Sequence, residues 1–457
     1  MSVIQRNPVI PPATSPNDPR YYEARNLEAE LRRTFQICHE CRMCVGYCGS
    51  FPELFNRIDK AIDSGAAEGA ETIDNADIKA VGDQCWQCKL CYIKCPYTAD
   101  EGASELLDFP RLMSRERAAR SQREGIPLVD KILGEPQLIG QIGAVTAPLS
   151  NLITRSQILR KVQEKVTGIS AEFPLPTFAK ETFSAWFQGH TPAAGAGELG
   201  EVVLFATCYG EYNTPAVAQA AVLVLEHNGY AVRYSGSGVD AKDEMFTCCG
   251  LPNIDGGDVA GATAKIEHNT ALLLPHVRAG RKIVVPGPSC GMMIKKEWHE
   301  YVGRSREAEV KEVAASTLDL MEFLVTLGKE KKLKREFPKS LGTVAYHAAC
   351  HLRAQKVGFP GMRVLNAVQD TEVRMVEECS AVDGTWGMKA EHYETGRKYA
   401  GKLTRGINDA EADIVVSDCS LAALRIGKEN GVHVIHPIEA LAQAYGLIPK
   451  TSSQIPA

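Results

Sequence analysis

Two short runs of cysteine carry the chemistry that is easiest to read in this chain. Cys85, Cys88, Cys91 and Cys95, followed by Pro96, read C-x2-C-x2-C-x3-C-P, and Cys38, Cys41, Cys44 and Cys48 nearly repeat the spacing. Three thiolates at i, i+3 and i+6 in a loop that does not stay helical converge on three irons of one cubane. The fourth thiolate points to the partner cluster. The pattern therefore predicts two [4Fe–4S] clusters with crossed ligation. Cys38, Cys41 and Cys44 share one with Cys95, while Cys85, Cys88 and Cys91 share the other with Cys48. Structural zinc takes paired CxxC ligands across a long spacer, and disulfides need an oxidising compartment, so neither fits as well. The first run ends Cys48-Gly49 where the second has Cys95-Pro96, a difference in the loop and not in a ligand.

A second constellation follows. Cys208, the adjacent pair Cys248 and Cys249 before Gly250, and Cys290 supply four thiols from three loops. Neighbouring cysteines in a glycine turn are hard to explain as packing, although free cysteine is commonly interior. These four are expected to hold a third iron–sulfur cluster. Further on, Cys350, Cys379 and Cys419 form a thinner candidate for a fourth site, with Ser380 and Ala422 where further thiols would stand. Three thiols suit a cluster with an open iron, a single metal, or nothing. His347 and His351 flank Cys350 as completing ligands or as packed histidines.

These residues need elements to hold them. Leu27, Leu31 and Phe35 lie at helical spacing ahead of the first cysteine run, and residues 51–62 and the stretch to Ala80 are helix-prone. An all-helical module fits this better than a compact βαβ ferredoxin. From residue 200 the pattern alternates. Strands are expected at 202–206, 231–234, 282–285, 343–346, 372–376 and 413–416, with helices near 214–228 and 260–280. A cysteine follows most of these strands, where the start of the next helix favours thiolate charge. The two halves repeat one plan, which argues an internal duplication. The expected units are a disordered lead-in (1–20), a helical domain (21–125), a helical connector (126–199), and two α/β units (200–330 and 331–457).

Within the connector, residues 137–166 are amphipathic, with Leu138, Ile142, Val145, Leu149, Leu152 and Ile153 at steps of three or four. Pro148 breaks any single long helix. A stripe packed on the protein's own core is the expected use, ahead of a membrane interface or partner surface. Residues 173–191 read as an extended linker. Gly236, Gly238 and Ala241 imitate a dinucleotide fingerprint, but the following CCG loop leaves no room for its helix, so no flavin or nicotinamide site is expected.

The 457 residues, 44% of them hydrophobic, suffice for two or three globular domains. A net charge of −5 offers no general attraction to nucleic acid. Fifteen cysteines without a secretory leader suggest a reducing cytoplasm. No apolar run is long enough for a transmembrane helix, so any contact with the inner face of the cytoplasmic membrane is expected to be peripheral.

The chain resembles the heterodisulfide-reductase-related iron–sulfur proteins, which include the iron–sulfur subunit of anaerobic glycerol-3-phosphate dehydrogenase and those of glycolate- and lactate-oxidising complexes. The resemblance rests on Ile37-Cys38-His39-Glu40-Cys41, Thr247-Cys248-Cys249-Gly250-Leu251-Pro252, Pro288-Ser289-Cys290-Gly291, Tyr346-His347 with Cys350-His351, Gly384-Thr385-Trp386-Gly387, and Asp418-Cys419. It spans roughly residues 27–446 and is nearest a subgroup encoded beside rubrerythrin. It implies an α-helical two-cluster ferredoxin module followed by a duplicated α/β cysteine-rich (CCG) domain. The family pattern in each unit is C, CC, then CxxC. Here Met293 replaces the last thiol of the first unit, and Ser380 and Ala422 replace two of the second, which weakens the case for disulfide reduction. The expected function is an electron-transfer subunit between a flavin-containing dehydrogenase partner and a quinone or other acceptor. A thiol–disulfide reductase using Cys350 beside His351, and a reductant for a rubrerythrin-like peroxidase, are the alternatives.

Overall fold

The computed structural model describes residues 4–234, 245–382 and 384–450. The amino-terminal third is helical. Helix Ala24–Cys41 buries Leu27, Leu31 and Phe35 at the expected spacing and ends where Arg42 turns left-handed, its N–H returning to the Cys38 carbonyl. Helices Ser50–Asp63 and Asn75–Asp83 follow, the latter started by a capping box between Asp74 and Asp77. Helix Phe109–Glu124 then crosses the domain, capped by Asp108 with a proline in its first turn. It carries many charges and yet its first ten residues are mostly buried, two of its arginines being paired with backbone carbonyls. Arg115 donates to the carbonyls of Tyr21 and Arg20, and Arg117 to those of Gly82 and Cys85.

Residues 4–20, expected to be disordered, instead run along the surface as a held segment. The Ser15 hydroxyl donates to the Glu300 carbonyl and the backbone N–H of Ile4 to the Glu68 carboxylate.

After connector helices between residues 128 and 189, the chain from Gly200 forms two α/β units. The first sheet holds β1 (Gly200–Leu204), β2 (Tyr230–Arg233), β3 (Lys282–Val285) and β4 (Thr317–Asp319); the second holds β5 (Gly342–His347), β6 (Thr371–Val376), β7 (Ile414–Ser417) and β8 (Val434–Ile435). Strand orders are β2-β1-β3-β4 and β6-β5-β7-β8, parallel throughout. The matching orders are the expected duplication. Both units contribute to one apolar core, in which Val203 and Val284 of the first sheet share a cluster with Val344 and Tyr346 of the second. Strands β4 and β8 have no counterpart in the sequence reading, since three and two residues are too few to display a period.

Two connector expectations are corrected. Residues 173–191 are not all extended: Phe183–Gly189 is a helix, and Phe183 is buried in the core of the first unit. Residues 137–166 form three helices, Pro136–Val145, Ala147–Arg155 and Gln157–Thr167, with the break just before Pro148. Their apolar stripe is not packed on a core. Leu138, Ile142, Val145, Leu149, Leu152 and Ile153 are all exposed. The Gly-x-Gly segment at 236–238 and Ala241 lie outside the described residues.

Candidate iron–sulfur centres

The two ferredoxin-like loops leave helical geometry at their cysteines. Arg42 in the first, and Gln87 and Lys89 in the second, adopt left-handed backbone angles, which non-glycine residues take only when neighbouring structure holds them there. That support is visible. Ser114 donates to the Gln87 side-chain oxygen (3.0 Å), and Lys89 pairs with buried Glu297 of the first α/β unit at 3.7 Å.

These bends gather thiols from both runs. Cys38, Cys41, Cys44 and Cys95 line one cavity, and Cys48, Cys85, Cys88 and Cys91 line another; Phe51 borders both. Burial pushes the Cys38 thiol well up, and the nearby Cys95, Cys44 and Cys41 add to the shift. Cys44 is pushed up to about 12 by burial and then by Cys95 and Cys41. Cys48 reaches about 12 by burial and by Cys85. Cys91, raised by burial and next by Cys48 and Cys85, also feels Cys44 and Cys38, so the two groups lie within each other's field. Crowded buried thiols resist ionising on their own, and cationic iron removes that resistance. Each cavity is lined by four thiols, a donor set that fits an iron–sulfur centre.

The first α/β unit brings its four thiols into one chain of contacts. Cys208 and Cys249 lie within hydrogen-bonding reach of Cys248, and Cys249 also within reach of Cys290. The neighbouring Cys208 and Cys249 hold Cys248 well below the ordinary thiol range, while those two are raised by Cys248 and by burial. Gly250, at φ +90°, supplies the left-handed turn that lets Cys248 and Cys249 stand side by side. Two residues absent from the sequence reading fix that turn. Trp298 donates to the Cys249 carbonyl at 2.9 Å, and fully buried Asn269 donates to the Cys248 carbonyl at 3.1 Å. Single hydrogen-bonding residues far along the chain leave no pattern to find. Met293, in the place of a fifth thiol, is buried at the start of a single π-helical turn.

In the second unit, Cys350 begins a short helix, Cys379 accepts from the Ala381 N–H at 3.2 Å, and Cys419 caps helix Ser420–Asn430. Cys350 and Cys379 both lie close enough to Cys88 to raise its thiol, after burial itself. Cys419 lies by Tyr209, which follows Cys208 in the other unit. The two histidines are tied into the fold. His347 Nδ1 is 2.9 Å from the Ser417 hydroxyl, and burial pushes its pKa down to about 4. His351 Nδ1 is 2.8 Å from Ser289 Oγ, and its Nε2 is 3.1 Å from the Gln87 carbonyl. His351 thus spans from the Cys88 loop to the Cys290 loop. Trp386, of the Gly384–Gly387 motif, packs on Trp86 at 4.8 Å and donates to the Asp83 carbonyl, fastening the second unit to the helical domain.

A helical cysteine-loop domain followed by two parallel-sheet cysteine units defines an iron–sulfur protein of oxidoreductase systems. Residues 31–122 match the citrate utilization protein B Fer4-like domain, and residues 202–295 and 344–426 each match the cysteine-rich CCG domain. The chain is 26% identical over 315 residues to a subunit of the anaerobic glycerol-3-phosphate dehydrogenase of Escherichia coli (strain K12), covering 68% of this chain and 76% of that protein. It is 32% identical over 197 residues to lactate utilization protein A of an Exiguobacterium species, covering 41% and 74%. It is 26% identical over 266 residues to a subunit of the fumarate reductase (CoM/CoB) of Methanothermobacter marburgensis, covering 56% and 49%. The chain belongs to the CCG-domain iron–sulfur family that includes these proteins. No helix among the described residues is long and apolar enough to cross a membrane.

Proposed function

We propose that this chain is the iron–sulfur electron-transfer subunit of a multisubunit oxidoreductase of the reducing cytoplasm. Cys38, Cys41, Cys44 and Cys95 would hold one [4Fe–4S] cluster, Cys48, Cys85, Cys88 and Cys91 a second, and Cys208, Cys248, Cys249 and Cys290 a third iron–sulfur cluster. Bound there, such clusters supply single-electron storage and transfer. The observation that supports the reading is the grouping of the thiols: Phe51 borders both the first and the second cavity, and His351 bonds both the residue before Cys88 and the residue before Cys290. The chain's own residues bury Cys48, Cys85, Cys88, Cys91, Cys248 and Cys249 and leave the remaining thiols of these groups partly exposed. Gln87 also donates to Cys85 Sγ at 3.5 Å, a bond of the type that tunes cluster potential.

The relatives, named as subunits of a dehydrogenase and a reductase, support a partner subunit; in this reading that partner is a flavin-containing dehydrogenase, and a quinone or other acceptor lies on the other side. Stepwise anaerobic reduction followed by electron paramagnetic resonance tests the reading. It predicts spectra from the two neighbouring ferredoxin-like groups that broaden through mutual coupling when both are reduced; independent spectra at full reduction would contradict the serial arrangement.

A second reading has one observation behind it, the nearness of Cys350 and Cys379 to Cys88. With Cys419, these thiols would form a fourth site where a substrate disulfide takes two electrons and two protons to become two thiols. Heterodisulfide turnover with reduced viologen, lost in Cys350→Ser, would favour that enzyme.

A further inference from the structure

The three connector helices are built inside out. Their small and polar residues face the protein. A Cβ on Gly140 would come to 2.3 Å from Tyr212, and one on Gly143 to 2.3 Å from Phe178, so the first helix lies flush on those rings through its glycines. In the second helix, Asn151 exchanges two hydrogen bonds with the Phe178 backbone, at 2.8 and 2.7 Å. In the third, Arg160 is 2% exposed, and its guanidinium donates to the carbonyls of Ser170 and Phe173.

The apolar residues point the other way. Ile142 and Val145 on the first helix, Leu149 and Leu152 on the second, and Ile158 and Val166 on the third are between 58% and 87% exposed. Each helix is fixed through its opposite side, and the first packs on the second and the second on the third. All three stripes are thus left exposed on consecutively packed helices. An ordinary surface helix buries such a stripe, and a contiguous exposed patch marks an interface.

Charge identifies what covers it. The exposed ionisable side chains on these helices are Arg155, Lys161 and Lys165, all basic, in a chain of net charge −5. The one acid of the segment, Glu164, is half-buried and accepts from the Ala171 N–H. Short helices with an apolar face and a basic fringe, none able to span a bilayer, suit the boundary between headgroups and acyl chains. The segment lies between the two family matches, so it belongs to neither cysteine-bearing domain.

We propose that residues 136–167 dock this protein on an anionic lipid surface. The inference rests on these helices and not on the redox reading. The test is flotation of the full-length, iron-loaded protein with phosphatidylcholine vesicles, with and without phosphatidylglycerol. The protein is expected to float with the anionic vesicles, to float less with neutral ones, and to be weakened by about 0.5 M salt. Ile142→Glu with Ile158→Glu should cut the bound fraction about tenfold, with iron content unchanged. Lys161→Glu with Lys165→Glu, which spares the apolar stripe, should weaken binding to anionic vesicles alone. No flotation, or equal flotation with both vesicle types and both variants, would overturn the proposal. So would a dimer that Ile142→Glu dissociates and that ignores vesicles, which would assign the face to a second copy. Iron content, read on the same samples, reports separately on the cluster assignments.

Discussion

His351 Nε2 lies 3.1 Å from the backbone carbonyl of Gln87, 264 residues earlier in the chain. A carbonyl only accepts, so Nε2 carries the proton. In the neutral ring Nδ1 must then accept from the Ser289 hydroxyl, 2.8 Å away. One buried side chain therefore makes a hydrogen-bonded path between the residues next to Cys88 and Cys290.

Removing that path should slow electron arrival at the first α/β unit. In stopped-flow reduction, His351→Ala should delay bleaching of the Cys208–Cys290 site without delaying the ferredoxin-like groups. His351→Gln, able to bond both partners, should recover part of the rate. Leaving the buried partners unpaired should also cost His351→Ala about 1–3 kcal/mol of stability, measurable by denaturant titration. Equal rates in all three proteins would leave His351 a packing residue.

Cys95 belongs to the second run by sequence and to the first by position, beside Cys41 and Cys44. Cys95→Ser should therefore damage the cluster of Cys38, Cys41 and Cys44, with loss of about four irons at most. The spectrum of the group that includes Cys85 should persist. Loss of that second spectrum with the first intact would reverse the pairing.

Trp298 holds the Cys249 carbonyl from inside the core. Trp298→Phe keeps most of the ring but leaves a buried carbonyl without its donor, a cost of about 1–3 kcal/mol. The expected result is a lower thermal midpoint and a metal site in the first α/β unit that empties first on exposure to chelator. An unchanged midpoint and chelator rate would show that the turn does not depend on this bond.

Much of this arrangement was legible in the sequence, and the limits have physical causes. Cysteine spacing predicts the crossed grouping, and the two cavities are lined by the thiols that grouping names. Strands such as β1 and β3 announce themselves as apolar runs, since both faces are buried. The connector misled because its periodicity at Leu138, Ile142 and Val145 states that one face is apolar without saying which way that face points. Gly140, Gly143 and Arg160 decide the direction, and their partners Tyr212, Phe178 and Phe173 are distant in sequence or unremarkable in type. His351 was conspicuous beside Cys350 as a candidate ligand, but its role as a bridge depends on Gln87 and Ser289 meeting in space.

Acid should weaken the fold through its buried histidines. His436 is fully buried with its Nε2 bonded to the Pro286 carbonyl, and burial pushes its pKa down to about 4. In the unfolded chain the ring takes a proton near 6.5, so between those values the unfolded state binds more protons. The neutral ring's contribution is thus complete above about pH 6.5 and is lost as pH falls through 4, on the order of 3 kcal/mol in all. Urea midpoints measured across that range should fall with pH, and His436→Gln should flatten the slope. A wild-type midpoint that stays constant from pH 7 to pH 4 would contradict this.

In the proposed function, three separate thiol groups hold iron in series. Iron and acid-labile sulfide content, with Mössbauer spectra, on anaerobically purified full-length protein tests it most directly. Three four-iron clusters give about twelve irons per chain, and Cys249→Ser should remove about four of them while leaving the ferredoxin-like spectra unchanged. About eight irons in the wild-type protein, unaffected by Cys249→Ser, would contradict the account and leave the first α/β unit without a cluster.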